Sequence, residues 1–365
     1  MKKTGIYLVS LCLSSCLLFT GCSATLDNNQ NNNEVVVELE EINEDNNENQ
    51  DKVENLSSEN SIAEGKMTMK NIELSTVPND YYQEAREQGT LQVFTYDTKD
   101  YIGNGNVVQR QATVYLPYGY DQNDTETQYN ILYLQHGAYG NNRTWMYEYG
   151  DNFKNMIDHM IEDELIPPLI IVMPYLLSGN EWYHDTTPIF YSGEIRNDLM
   201  PAVESYYHTY ASDTTDAGFE SSRSHRAFGG FSAGGTTTWT VLLEGIERFE
   251  FFMPLSGGLT LGGNGSTSEV DASELANVVE SSEYDKREYY IFAATGTRDV
   301  AYQGLSAQIE AMKNETSAFD FTETGFENGN LMYYTVEGNR HDYQYTYEYV
   351  FNGLQCLFSW YEAEN

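Results

Sequence analysis

Gly230, Phe231, Ser232, Ala233 and Gly234 carry the spacing in which a serine can stand on a tight turn between a strand and a helix. At so sharp a turn a side chain at either glycine would collide with the neighbouring strand or helix, so Gly230 and Gly234 let Ser232 project. Ala227 to Phe231 can supply the strand, and Thr236 to Leu243 the helix whose N-terminal end then faces the reaction. A hydroxyl is a poor nucleophile at neutral pH and needs a base. Of the six histidines only His341 follows Ser232, in the loop Gly338 to Asp342 just beyond the apolar run Met332 to Val336. An acid to orient that imidazole belongs at the end of the preceding strand, where Tyr289 to Ala294 runs into Asp299. Asp342 is adjacent to His341 and poorly aimed at its ring, while Glu310 and Asp320 fall in the next helix or loop, so Asp299 is the candidate.

Acyl transfer by such a set also needs donors for an oxyanion. The N–H of Ala233, directly after the serine, is the first candidate. Leu134 to Gly140 follows a buried strand and offers the second, with Ala138 preferred and Tyr139 next. His136 precedes Ser232 in the chain and is read as a brace for this loop. Trp145, Trp182 and Tyr183 lie on loops after core strands and are candidates to hold an aromatic acyl group or a sugar ring. No histidine pair at helical spacing and no cysteine cluster suggests zinc, and His184 with Asp185 is too little, so no metal or organic cofactor is expected. Ser256 lacks the elbow pattern and reads as packing.

These side chains need a scaffold. Ala112 to Leu116 alternates apolar residues and stops at Pro117, which suits an early strand near a sheet edge, after an opening segment with Val93, Phe94 and Tyr96. Apolar runs of strand length recur at Ile131 to Leu134, Leu169 to Met173, Ala227 to Phe231, Phe249 to Leu255, Tyr289 to Ala294 and Met332 to Val336. Helical spacing separates them, as in Phe153, Met156, Ile157, Met160, Ile161 and in Ile195, Leu199, Val203, Tyr206, and a closing helix is expected over Tyr345 to Tyr361. Alternating strands and helices predict an α/β fold with a doubly wound, mostly parallel sheet in a single catalytic domain over residues 66–365.

The N-terminal region differs in kind. Residues 1–21 have Lys2 and Lys3 followed by an apolar stretch too short to span a bilayer comfortably, the pattern of a secretory signal. Leu18 to Cys22 resembles the bacterial lipobox, with Phe19 where Leu is usual, so Cys22 is the expected lipidation site. Residues 22–65 are rich in Asn, Glu, Asp and Ser, with Lys52 as the lone base, and predict a disordered acidic tether. The expectation is an extracellular domain held on the bacterial membrane only through its lipid. With the earlier cysteines removed or acylated, Cys356 alone is left and no intrachain disulfide is expected. A formal net charge of −37 excludes nucleic acid and anionic membrane surfaces as partners, and favours a neutral substrate. The 30 tyrosines suit sugars or aromatic acids, and equally a wet surface. Oligomeric state is not legible.

Taken together, the elbow, Asp299 and His341 resemble carbohydrate esterase family one, the feruloyl and acetylxylan esterases on an α/β-hydrolase fold. The likeness spans roughly Val77 to Tyr361 and includes Tyr115 to Tyr120, Pro168 to Pro174, and His225, Arg226 and Ala227 leading to the elbow. It implies that Ser232, Asp299 and His341 are the catalytic residues, that hydroxycinnamoyl or acetyl groups leave a plant polysaccharide such as xylan, and that no cofactor is needed. Ala233 stands where the family commonly has Met, and Arg340 where a glycine often precedes the histidine, which bears on the shape of the pocket. A thioesterase or peptidase on the same scaffold, or a noncatalytic surface-binding lipoprotein, are the alternatives.

Overall fold

The structure is a computed structural model that describes residues 67–69, 72–175, 189–259, 266–358 and 360–362. The signal, Cys22 and the tether lie outside the described residues. In chain order the strands are β1 (Met67–Met69), β2 (Thr90–Lys99), β3 (Val107–Leu116), β4 (Asn130–Gln135), β5 (Glu148–Asp151), β6 (Leu169–Met173), β7 (Arg226–Phe231), β8 (Phe251–Leu255), β9 (Tyr290–Gly296), β10 (Phe321–Thr322), β11 (Leu331–Val336) and β12 (Trp360–Glu362). Nine of them form one sheet in the order β10-β11-β9-β8-β7-β4-β6-β3-β2, and β1 pairs antiparallel with β12 apart from it.

From β10 to β6 every pairing is parallel. The apolar runs read from the sequence are these central strands, and each residue of β6, β7, β8 and β9 is buried, as expected for strands covered on both faces. Successive residues alternate between two cores. Val114, Ile131, Tyr133, Ile170, Phe228, Phe252 and Ile291 meet Trp239, Leu275 and Ile309 on one face. Tyr115, Leu132, Leu134, Ile171, Met253 and Phe292 meet Met156, Tyr349 and Leu354 on the other. The chain is therefore an α/β-hydrolase-type, doubly wound domain.

Three local features differ from the sequence expectation. First, β2 and β3 pair antiparallel, and β3 is antiparallel to β6 as well, because a short turn over residues 100–106 folds β2 and β3 into a hairpin. Second, the helical spacing around Ile195 belongs to a π-helix, Phe190–Leu199, followed by a short α-helix, Met200–Glu204. Glu194 in that wide turn accepts from Tyr96 Oη at 2.7 Å and pairs with Arg110 Nε at 3.0 Å, which ties the segment to the hairpin. Third, the closing helix runs over Tyr343–Phe358, starting two residues nearer His341 than its apolar spacing indicates.

The N-terminal end of β7 buries a charge with all its donors used. Arg226 Nε and Nη2 meet the Glu204 carboxylate at 2.8 and 2.7 Å, Nη2 also reaches Ser222 Oγ at 2.8 Å, and Nη1 donates to the carbonyls of Phe219 and Arg248 at 3.0 and 2.7 Å. Tyr133 Oη and Thr209 Oγ1 complete the coordination of Glu204. Cys356 is buried and unpaired, and burial pushes its thiol up to about 12.

Candidate active site

Ser232 sits between β7 and the helix Ala233–Gly245 with φ 58° and ψ −113°, a left-handed conformation that a side chain rarely adopts. Two hydrogen bonds hold it there: its N–H donates to Leu255 O at 2.8 Å, and its carbonyl accepts from Thr236 N at 3.0 Å. The flanking glycines leave no room for more. A Cβ at Gly230 would lie 2.7 Å from Gln135 O, and one at Gly234 would lie 2.4 Å from the same atom. The helix is rich in glycine and threonine, poor formers of exposed helix, and forms here because it is almost wholly buried against β7 and β8.

His341 Nε2 is 2.8 Å from Ser232 Oγ, and His341 Nδ1 is 2.7 Å from Asp299 Oδ1. The carboxylate can only accept, so Nδ1 carries the proton and Nε2 is left to accept from the serine hydroxyl. Asp299 is brought in by the end of β9 and His341 by the end of β11, and those two loops are stitched together. Thr297 N donates to Val336 O and Arg298 N to Asn339 O, each at 3.0 Å, and Gly338 N donates to Thr297 Oγ1 at 2.9 Å. Ala301 N holds Asp299 Oδ1 at 2.7 Å, while Oδ2 is buried without a partner among the described residues. The Phe231 ring packs on the imidazole at 4.6 Å. The other acids weighed for this role are engaged elsewhere: Asp342 by Tyr149 Oη at 2.5 Å, Glu310 by Lys313, Asp320 by Lys286.

The loop after β4 lies against the elbow. A Cβ on Gly137 would be 3.2 Å from Ser232 Cβ, so the backbone itself passes beside the nucleophile. The carbonyl of Gly137 accepts from His136 Nδ1 at 2.7 Å and from Gly140 N at 3.1 Å, and Gly137 N donates to Tyr343 Oη at 2.6 Å. Burial lowers the His136 pKa to about 4, so the ring is neutral near pH 7, with its proton on Nδ1 toward that carbonyl. Ala138 follows this pinned peptide. Ala233 opens the elbow helix, so its N–H has no carbonyl within the helix to pair with. Tyr139 has φ 63° and is 90% exposed.

Trp145 is a correction. Sequence position suggested a loop aromatic free to stack on substrate, but it lies in the short helix Thr144–Tyr147 and is fully buried, packed against Phe153 at 5.2 Å and edge-on to Tyr343 at 5.3 Å. Its large apolar ring gains more from the core than a loop could offer. Trp182 and Tyr183 lie outside the described residues. Tyr343 was not singled out in the sequence, and nothing in its spacing marks it. Among the described residues no group of His, Cys, Asp or Glu is arranged to hold a metal ion.

A family model for the Esterase family matches residues 108–353. Endo-1,4-beta-xylanase Y of Acetivibrio thermocellus is 37% identical over 287 residues, 79% of this chain and 25% of that protein. An endo-1,4-beta-xylanase/feruloyl esterase of Xylanibacter ruminicola is 26% identical over 257 residues, 64% of this chain and 31% of that one. This chain thus spans about a quarter to a third of the curated relatives it matches. Among solved structures, the feruloyl esterase module from Clostridium thermocellum complexed with sinapinate superposes with a TM-score of 0.69 at 36% identity, covering 82% of this chain and 98% of the module. A ferulic acid esterase from Anaeromyces mucronatus shares the fold, with a TM-score of 0.60 at 19% identity over 79% of this chain and 98% of that one.

Proposed function

Because this chain belongs to the Esterase family and is a serine carboxylic ester hydrolase, we propose that it removes feruloyl groups from plant cell-wall polysaccharide such as xylan, with Ser232, His341 and Asp299 as its catalytic residues. The observation that carries the mechanism is the unbroken line of two short hydrogen bonds from Ser232 Oγ through the imidazole to Asp299. Ser232 Oγ attacks the ester carbonyl as its proton passes to His341 Nε2. The imidazolium so formed is stabilised by the carboxylate on its other side. The tetrahedral oxyanion lies between the N–H groups of Ala233 and Ala138. On collapse the sugar oxygen leaves with the proton from His341, and water, activated by the same ring, releases the acid from the acyl-enzyme.

The choice of acyl group is supported by the extended likeness to a feruloyl esterase module, and the neutrality of a polysaccharide suits a chain with a formal net charge of −37. Ferulate release from feruloylated xylan, measured beside acetate release from acetylated xylan, tests it. Ferulate as the dominant product is expected, and acetate alone would overturn the assignment. In Ser232→Ala, release and covalent labelling by a fluorophosphonate should both vanish, with kcat down ~10⁶-fold. The lipobox-like Leu18 to Cys22 supports a lipid anchor outside the cell membrane, checked by labelled fatty acid incorporation that is lost in Cys22→Ser.

A further inference from the structure

We propose that Tyr343 is a positioning residue for the oxyanion site, fixing the direction of the Ala138 N–H; this rests on the reading of Ser232 as the nucleophile. Gly137 sits in a tight space, where a Cβ would lie 3.1 Å from the Phe231 ring and 3.2 Å from Ser232 Cβ, so glycine fits there with the least crowding. That leaves the backbone beside the nucleophile with the broadest conformational freedom of any residue, at the one place where a donor must point at a developing charge. The freedom is removed from outside. The Gly137 carbonyl belongs to the same planar peptide as the Ala138 N–H, and in a trans peptide the two point in opposite directions. His136 Nδ1 and Gly140 N hold that carbonyl, so they aim the N–H away from themselves. Tyr343 Oη, 2.6 Å from Gly137 N, holds the preceding peptide, so both sides of Gly137 are anchored.

The anchor is itself rigid. The Tyr343 ring packs at 4.7 Å on Phe231, the residue before the nucleophile, and meets the buried Trp145 edge-on at 5.3 Å. It also begins the helix Tyr343–Phe358, two residues beyond His341. One short segment therefore carries both the base and the hydroxyl that sets the oxyanion loop, so the two halves of the machinery are held in a single register. In this arrangement Trp145 acts as the seat of Tyr343.

Tyr343→Phe removes only the oxygen and keeps the ring in its packing. Misaiming a donor should cost less than deleting one, so kcat on an aryl ester is expected to fall ~10-fold to ~100-fold while KM changes less than ~2-fold. Affinity for a boronic acid that forms a tetrahedral adduct with the serine should fall by the same factor, with the unfolding midpoint unchanged. Both constants are referred to the active fraction counted by fluorophosphonate titration, so partial misfolding does not blur them. Unchanged kcat and boronate affinity would overturn the proposal. So would a loss of activity that follows a lowered unfolding midpoint while the titrated enzyme keeps full boronate affinity. Ser232→Ala is assayed alongside: hydrolysis surviving that change would sink the reading of the site, whereas an inert Ser232→Ala beside a normal Tyr343→Phe would sink the positioning role alone.

Discussion

The two ends of β7 are built on opposite principles. At its start Arg226 is buried against Glu204 with every donor satisfied, and the strand is clamped to the helices beneath it. Just past its end Ser232 is held in a left-handed backbone conformation, and Asp299, behind His341, keeps one buried oxygen without a hydrogen bond among the described residues. Six strand residues, roughly 20 Å, separate a region of complete satisfaction from one of retained strain and unmet polarity. The lesson is that a fully satisfied anchor at one end of the strand helps the elbow at the other end to hold a conformation it would not choose alone.

That contrast can be broken in order of size. Asp299→Asn should lower kcat ~10⁴-fold by leaving the imidazole in the wrong tautomer, while stability changes little because a buried carboxylate with one unsatisfied oxygen becomes a neutral amide. Steady-state kinetics with a urea titration would check it, and a large loss of stability would erase the contrast. Arg226→Met should do the reverse. It strands the Glu204 carboxylate in the core and costs about 3–5 kcal/mol of unfolding free energy, yet kcat per folded molecule should be unchanged.

The smallest effect concerns His136. Its pKa is held by burial at about 4 in the folded chain, against about 6.5 when unfolded, so between those values the unfolded state binds the extra proton. Stability contributed at neutral pH is therefore lost as pH falls through that window. The advantage of the native protein over His136→Gln should shrink by about 3 kcal/mol between pH 6.5 and pH 4, read as the difference between their urea midpoints. A constant difference would mean that the ring is not buried in its neutral form.

The same contrast explains what could be read from the residues alone. Buried parallel strands such as Leu169–Met173 announce themselves because both faces must be apolar, and the elbow does so because steric crowding demands glycine at two set positions. Burial of a single aromatic ring carries no such periodic mark, so Trp145 read as a free loop residue. The antiparallel hairpin β2–β3 was hidden for a related reason: an alternating strand looks the same whichever way its neighbour runs. The π-helix at Phe190–Leu199 keeps an apolar spacing close enough to α-helical that only its hydrogen bonds betray it. Tyr343 was invisible because its importance lies in a contact with Gly137, some two hundred positions away.

The order of the sheet also bears on how the molecule comes into being. β4 lies between β6 and β7, and Gln135 pairs with Gly230, so the central layer cannot zip until a long excursion of chain has returned. Such distant partners make for slow assembly, with exposed intermediates exposed to aggregation in the meantime. The imidazole arrives later still, 109 residues after the nucleophile. A polypeptide cut short during synthesis would thus hold the elbow without the ring that activates it, and unfinished copies would be inert rather than indiscriminate.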